Sequence, residues 1–413
     1  MVHEVVEQHA AMASFLWELR GMAAASHHYT LADLVEHEDR IEAHLDGLRI
    51  AGEPGWEVAI EALSTGEPGA FFTAAVAAVE ARDLPGFAAV LDATKEEPEA
   101  TAGVVGALAW AAPADAFAIV DPLLSGEHSP ALLRLALATC TAHRRDPGPL
   151  LVNALFGADA PLRALSFRAI GTLGRLDLAG DLREVAPADD APGRFWSAWA
   201  GALVGVAGAP AALWSVARDK GPFAEVAAEH AARVGAPGEA RQTLEALLTW
   251  PGLERACLFA AGALGDPALL PWVLDQMAVP GLARLAGEVF ARITGAPING
   301  VLRGSPPPDF QSGPTSNPGD SNVTMDPDTQ LPWPHEASGR AYYLAHRGRL
   351  AVGTRHLEGA PIDDAALARV LRLGVQQRRA GAAFESAARR PGTPLLDVTA
   401  RADRQLAQLG AAL

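Results

Sequence analysis

Apolar positions fall in short blocks along most of the chain, each spaced as on one face of a helix and each closed by glycine, aspartate or proline. Between about residues 67 and 298 eight such blocks follow one another, running from GAFFTAAVAAVEARDLPGFAAVLDA to GLARLAGEVFARITG. The repeating pattern is an alanine-rich helix, a short turn and a second helix. Aligned on the last apolar residue before the turn, they register at Val79, Trp110, Ala142, Leu173, Val206, Val234, Leu264 and Ile293, with gaps of 28 to 33 residues. Turns such as Gly265-Asp266-Pro267 and Arg145-Asp146-Pro147-Gly148 suit a helix that ends in a left-handed cap and a successor with proline in its first turn. Few stretches alternate with the period of two that a strand requires.

A hairpin of this size buries too little apolar surface to stand alone, so its stability comes from stacking on its neighbours. The pattern therefore predicts an all-α fold, a HEAT-like α-solenoid of about eight helical hairpins over residues 67–298, with helical caps at both ends. In the N-terminal cap, residues 1–66, Thr30 is placed to open a helix with Leu31, Leu34, Ile41, Leu45 and Leu48 on one face. The other face carries Asp33, Glu36, Glu38, Asp39, Glu42 and Asp46. Residues 299–335 are a linker rich in Pro, Gly and Ser, ending in Leu331-Pro332-Trp333-Pro334, where Trp333 either pins the loop to the array or meets a partner. In the C-terminal cap, residues 336–413, one main helix is expected from about Asp363 through Leu367, Val370, Leu371 and Val375 to Arg390, stopped by Pro391-Gly392.

Charge divides the chain. The net charge is −16, yet residues 336–413 hold twelve arginines against seven acids, so the remainder is near −21. An acidic array lacks the cations that neutralise backbone phosphate, which argues against a nucleic-acid partner. The basic cap either folds back on the array or binds an acidic protein. The 23-residue uncharged run from Phe195 to Ala217 is broken by Gly208-Ala209-Pro210, so it is expected to be a buried helical hairpin and not a membrane span. Cys140 and Cys257 lie in apolar helical blocks and read as buried thiols. The first residues lack the basic start and apolar core of a signal peptide, and a soluble cytoplasmic protein is expected.

Signatures of phosphate cradles, serine hydrolases and zinc proteases are absent from the sequence. His37 and His44 share a helix face, but a metal site needs more ligands than that face offers. The His-Glu dipeptides His37-Glu38 and His335-Glu336 lie outside the repeats, unlike those of HEAT-like iron hydroxylases, and an acidic array does not suit a HEAT-like DNA glycosylase. A HEAT-like lyase remains the enzymatic alternative. No catalytic, cofactor-binding or metal-binding residue is expected, and the candidate partner contacts are Asp39, Arg40, His44, Asp46, Trp333, Arg378 and Arg379.

The run YTLADLVEHEDRIEAHLDGLRIAGEPGWEVAIEAL, Tyr29 to Leu63, resembles the N-terminal signature of a family of uncharacterised bacterial HEAT-repeat proteins often encoded beside type VI secretion genes. Gly353 to Val398 resembles that family's closing block, and His44-Leu45-Asp46-Gly47-Leu48 followed by Ala51-Gly52 is the most specific part. The stretch 304–325 is longer than the family pattern. The resemblance implies no catalytic residues. It suits a scaffold or adaptor for a protein partner, such as a secretion-system component or effector, with an immunity or regulatory protein for a neighbouring toxin as the alternative.

Overall fold

The computed structural model describes residues 3–185, 190–300, 302–317, 319, 321 and 323–410, and within them the punctuation of the sequence sets the helix ends. Twenty-two α-helices form among the described residues, with one short hairpin pairing His356–Leu357 with Ala360–Pro361. The fold is all-α and solenoid-like. The aligned helices end at Glu80, Trp110, Ala142, Leu173, Leu203, Val234, Leu264 and Thr294, 30 to 32 residues apart. Ion pairs follow the same order, since Arg134–Asp159 and Arg194–Asp219 each link such a helix to the turn before the next one. The last of these helices, Ala283–Thr294, has no second helix directly after it, and the next α-helix begins at Glu336.

Two compact units divide the chain. One holds Met1–Ala186, Leu371–Ala383 and Gly392–Leu413, and the other holds Pro187–Val370 and Phe384–Pro391. The residues of the basic C-terminal segment are thus shared between them.

In the first unit, α1 (His3–Ala23) packs on α2 (Leu31–Ala51), on α3 (Glu53–Glu61) and on α4 (Pro68–Glu80). Next come α5 (Leu84–Ala93) and α6 (Thr101–Trp110), which lies against α4. Thr30 caps α2 as expected, accepting from the Asp33 amide while Asp33 accepts from the Thr30 amide. The Ala402–Leu409 helix returns to this end of the sequence, with Ala402 buried among Ala23, Leu31 and Leu34. Its first turn is latched by Glu38, which accepts from the Ala402 amide at 2.8 Å and pairs with Arg20 at 2.7 Å. Arg20 also donates to the Thr399 and Ala400 carbonyls. Arg404 donates to the carbonyls of Ala109, Trp110 and Ala111, the unfilled acceptors at the end of α6. Arg401 pairs with Glu42 at 2.9 Å and lies over the Trp110 ring. Of the two roles open to the basic segment, these arginines take the first and fold back within the unit.

In the second unit the Ala224–Val234, Glu254–Leu264 and Ala283–Thr294 helices stack in order, and small residues occupy their contacts. Gly262 is one such point, where a Cβ would sit 3.2 Å from Val289. The run from Phe195 to Ala217 forms the Ala191–Leu203 and Ala209–Arg218 helices, and no helix of the described residues is long and apolar enough to cross a membrane. The linker is fastened by Arg255 on Asp328 at 2.6 Å and by Arg284 on Asp326 at 3.1 Å. Trp333 is buried against Phe310 under the Arg284 guanidinium, so it pins the loop and offers no surface to a partner. Positions 301, 318, 320 and 322 of the linker lie outside the described residues.

The single helix expected from Asp363 to Arg390 is instead two, Asp364–Leu373 and Gln376–Ala388, separated at Gly374-Val375. Glycine is a weak helix former, and the break frees the Leu371 carbonyl, which accepts from Arg379 at 2.8 Å.

A titratable ring sits half-buried in the second unit. His230 packs on Phe384 with ring centroids 3.9 Å apart, and its Nδ1 is out of reach of solvent and without a partner. Burial, aided by Arg233 and opposed by Glu229, pulls its pKa from 6.5 down to about 4. A ring held neutral in the fold but free to charge when unfolded stabilises fully above pH 6.5, and that contribution is lost as pH falls through about 4. We expect on the order of 1–3 kcal/mol to disappear over that window, read as a falling urea midpoint, and the slope to flatten in His230→Gln. An unchanged slope in the variant would assign the acid sensitivity elsewhere.

Candidate functional site

Residues 45–56 build one wall of a groove between α2, α3 and α4. Leu45 and Leu48 fall on the core-facing side of α2, and α2 ends where Gly52 takes φ 64°, a conformation that suits glycine. The chain turns at once into α3 with Pro54 in its first turn. Gly55 then lets α3 close on the end of α2, since a Cβ there would lie 2.4 Å from the Leu48 carbonyl. This tight corner places the half-buried Trp56 beside Leu45, Leu48, Val76 and Ala77, enclosing about 430 Å³.

The floor is apolar and the rim is acidic. Glu53, Glu80 and Asp83 line the opening with Arg49. Arg49 is held in place from three sides, bidentate to Glu80 at 2.6 and 2.8 Å and bonded to Glu42 at 3.0 Å and Asp46 at 2.5 Å. Those hydrogen bonds, Glu80 foremost, raise its pKa against the effect of burial, so it stays a fixed cation with its charge already spent on carboxylates. Asp83 also caps α5 by accepting from the Gly86 amide. Over residues 31–100 sixteen carboxylates stand against four basic side chains, a net −12 out of the chain's −16, so the field at the groove is negative.

Of the residues expected to meet a partner, Asp46 reaches this rim through Arg49. His44 turns instead to His9, Nδ1 to Nδ1 at 3.1 Å, and burial, His9 and Arg40 lower its pKa. Asp39 and Arg40 are exposed on α2. Arg378 is half-buried, and Arg379 is fully buried and holds the Leu371 carbonyl and Gln376, so Arg379 is a structural residue and not a surface contact. Burial pulls its pKa down to about 10, which still leaves it charged at neutral pH.

Trp56, Glu53, Glu80 and Asp83 were not expected. A lone tryptophan directly after a Pro-Gly corner was the signal available for the first. The partners from α4 gave none, because Arg49 and Glu80 meet across 31 residues of sequence.

Elsewhere, a smaller cavity of about 270 Å³ in the second unit is walled by Arg233, Glu385 and Arg389, which bond to one another. Cys140 and Cys257 are buried, which pushes their thiols up to about 11 and about 12 and keeps them protonated. No group of three or more metal-ligating side chains comes together among the described residues. Compared with family models, curated proteins and solved structures, the chain matches none.

Proposed function

We propose that this protein is a non-catalytic interaction scaffold whose α2–α3–α4 groove takes a segment of a partner protein, an aliphatic or aromatic side chain next to a lysine or arginine. The observation that carries the reading is one opening with an apolar floor of Leu45, Leu48, Val76 and Trp56 and a rim of Glu53, Glu80 and Asp83. Burying one large apolar anchor contributes roughly 1.5–3 kcal/mol. A flanking cation adds orientation and a faster encounter more than raw affinity. The family resemblance supports the same reading, because three of its most specific residues, Leu45, Leu48 and Gly52, line the groove. A secretion-system component or one of its effectors is the class of partner that resemblance favours.

The test is selection of random peptides displayed on phage against the full chain. Recovered sequences should share a large apolar residue within about one helical turn of Lys or Arg, and Trp56→Ala should abolish their enrichment. Peptides without a basic residue, or enrichment that survives Trp56→Ala, would overturn the assignment.

A further inference from the structure

The outer face of α1 carries an apolar seam that none of the described residues covers. Val5, Phe15 and Met22 are 47%, 55% and 58% exposed, and Met12 and Leu19 are half-buried between them. Positions 5, 12 and 19 with 8, 15 and 22 form the a and d sites of a heptad, and only Gln8 among them is polar. The buried face of the same helix, Val6, Ala10, Ala13, Leu16, Arg20 and Ala23, is a different stripe. α1 therefore has one seam for its own core and another facing solvent.

We infer that this seam is a dimer interface, in which α1 of one chain lies antiparallel against α1 of a second copy. The register argues for a second copy over an unrelated helix, because the seam is complementary to itself. With a two-fold axis between Ala13 and Ser14, Val5 of one chain lies opposite Met22 of the other, Gln8 opposite Leu19 and Met12 opposite Phe15. Every a site thereby meets a d site, as an isologous contact requires. Charge does not oppose the antiparallel sense: Glu4, at a g site, lies beside Met22 and Ala25 of the other helix, and Glu7, at a c site, points out of the seam. The size also suits a pair. A helix of 21 residues is about 31 Å long, and two joined along their length cover on the order of 1,000 Å², near the lower end of specific interfaces.

Sedimentation of the full chain over a range of concentrations tests this. Wild type should pass from the 43.0 kDa chain mass to twice that value as concentration rises. Phe15→Glu places a carboxylate in both central layers and should weaken the association roughly 100-fold, leaving the circular dichroism unchanged because the site is exposed. The register has its own readout. Met12→Cys/Phe15→Cys should oxidise to a covalent dimer, as should Val5→Cys/Met22→Cys, while Val5→Cys alone should not. A single-chain mass at every concentration overturns the inference, as does a dimer that survives Phe15→Glu or cross-links only through Val5→Cys.

Discussion

Glu385→Gln is expected to destabilise the second unit by about 3–5 kcal/mol, the cost of leaving buried cations without their anion. Glu385 is 1% exposed and accepts from three arginines, with Arg355 on both oxygens at 2.7 and 2.9 Å, Arg389 at 2.7 Å and Arg233 at 3.3 Å. Burial alone would raise the Glu385 carboxyl, but Arg355, Arg233 and Arg389 outweigh it and hold the pKa below its ordinary value. The glutamine keeps the shape and loses the charge. Arg233 then relies on Glu229, whose own carboxyl burial would raise but Arg233, Arg292 and His230 hold down at about 2. The expected readout is a lower urea midpoint with an unchanged slope. An effect below about 1 kcal/mol would mean that water reaches Arg233 and Arg355 when the carboxylate goes.

Glu38→Ala should cost the first unit a comparable amount and release the C-terminal helix. Its two oxygens serve different masters, Arg20 and the amide of Ala402. Removing them leaves Arg20 with the Thr399 and Ala400 carbonyls and the face of Trp110 but no anion in a buried site, again worth about 3–5 kcal/mol. Amide hydrogen exchange over the Ala402–Leu409 helix should accelerate more than that of α4 or α6. The double variant Arg20→Met/Glu38→Leu should recover most of the loss, because a buried ion pair replaced by apolar groups is often neutral. Equal loss in the single and double variants would show that the latch acts through packing and not through charge.

Helix ends were legible wherever a local signal marked them. Trp110, Ala142, Leu173, Val234 and Leu264 end their helices as read, because each precedes turn residues whose effect on the backbone is local. Val206 was read three residues late, since the helix ends at Leu203 and Gly205 already takes a positive φ of 72°. The break at Gly374-Val375 was missed because apolar spacing continues through Leu371 and Val375, and what stabilises the break is distant, with the Gln376 amide donating to the Tyr29 carbonyl. Arg379 looked like a surface contact because arginine is seldom buried. Its partners, a freed carbonyl and Gln376, exist only once the helix has broken. At the groove, Leu45 and Leu48 could be placed on a core face, yet the rim depends on α4 returning beside α2. Periodicity within one segment carries no information about that pairing.

The most direct test of the groove is titration calorimetry of one selected peptide, with an apolar anchor and an adjacent arginine, into wild type, Trp56→Ala and Glu53→Lys. Glu53 is exposed at the rim, so its reversal should spare the fold. We expect Trp56→Ala to weaken binding at least about tenfold, Glu53→Lys to weaken it and flatten its salt dependence, and a peptide with glutamate in place of the arginine to prefer Glu53→Lys over wild type. Equal affinity for all three proteins would contradict the assignment of the α2–α3–α4 groove as the partner site.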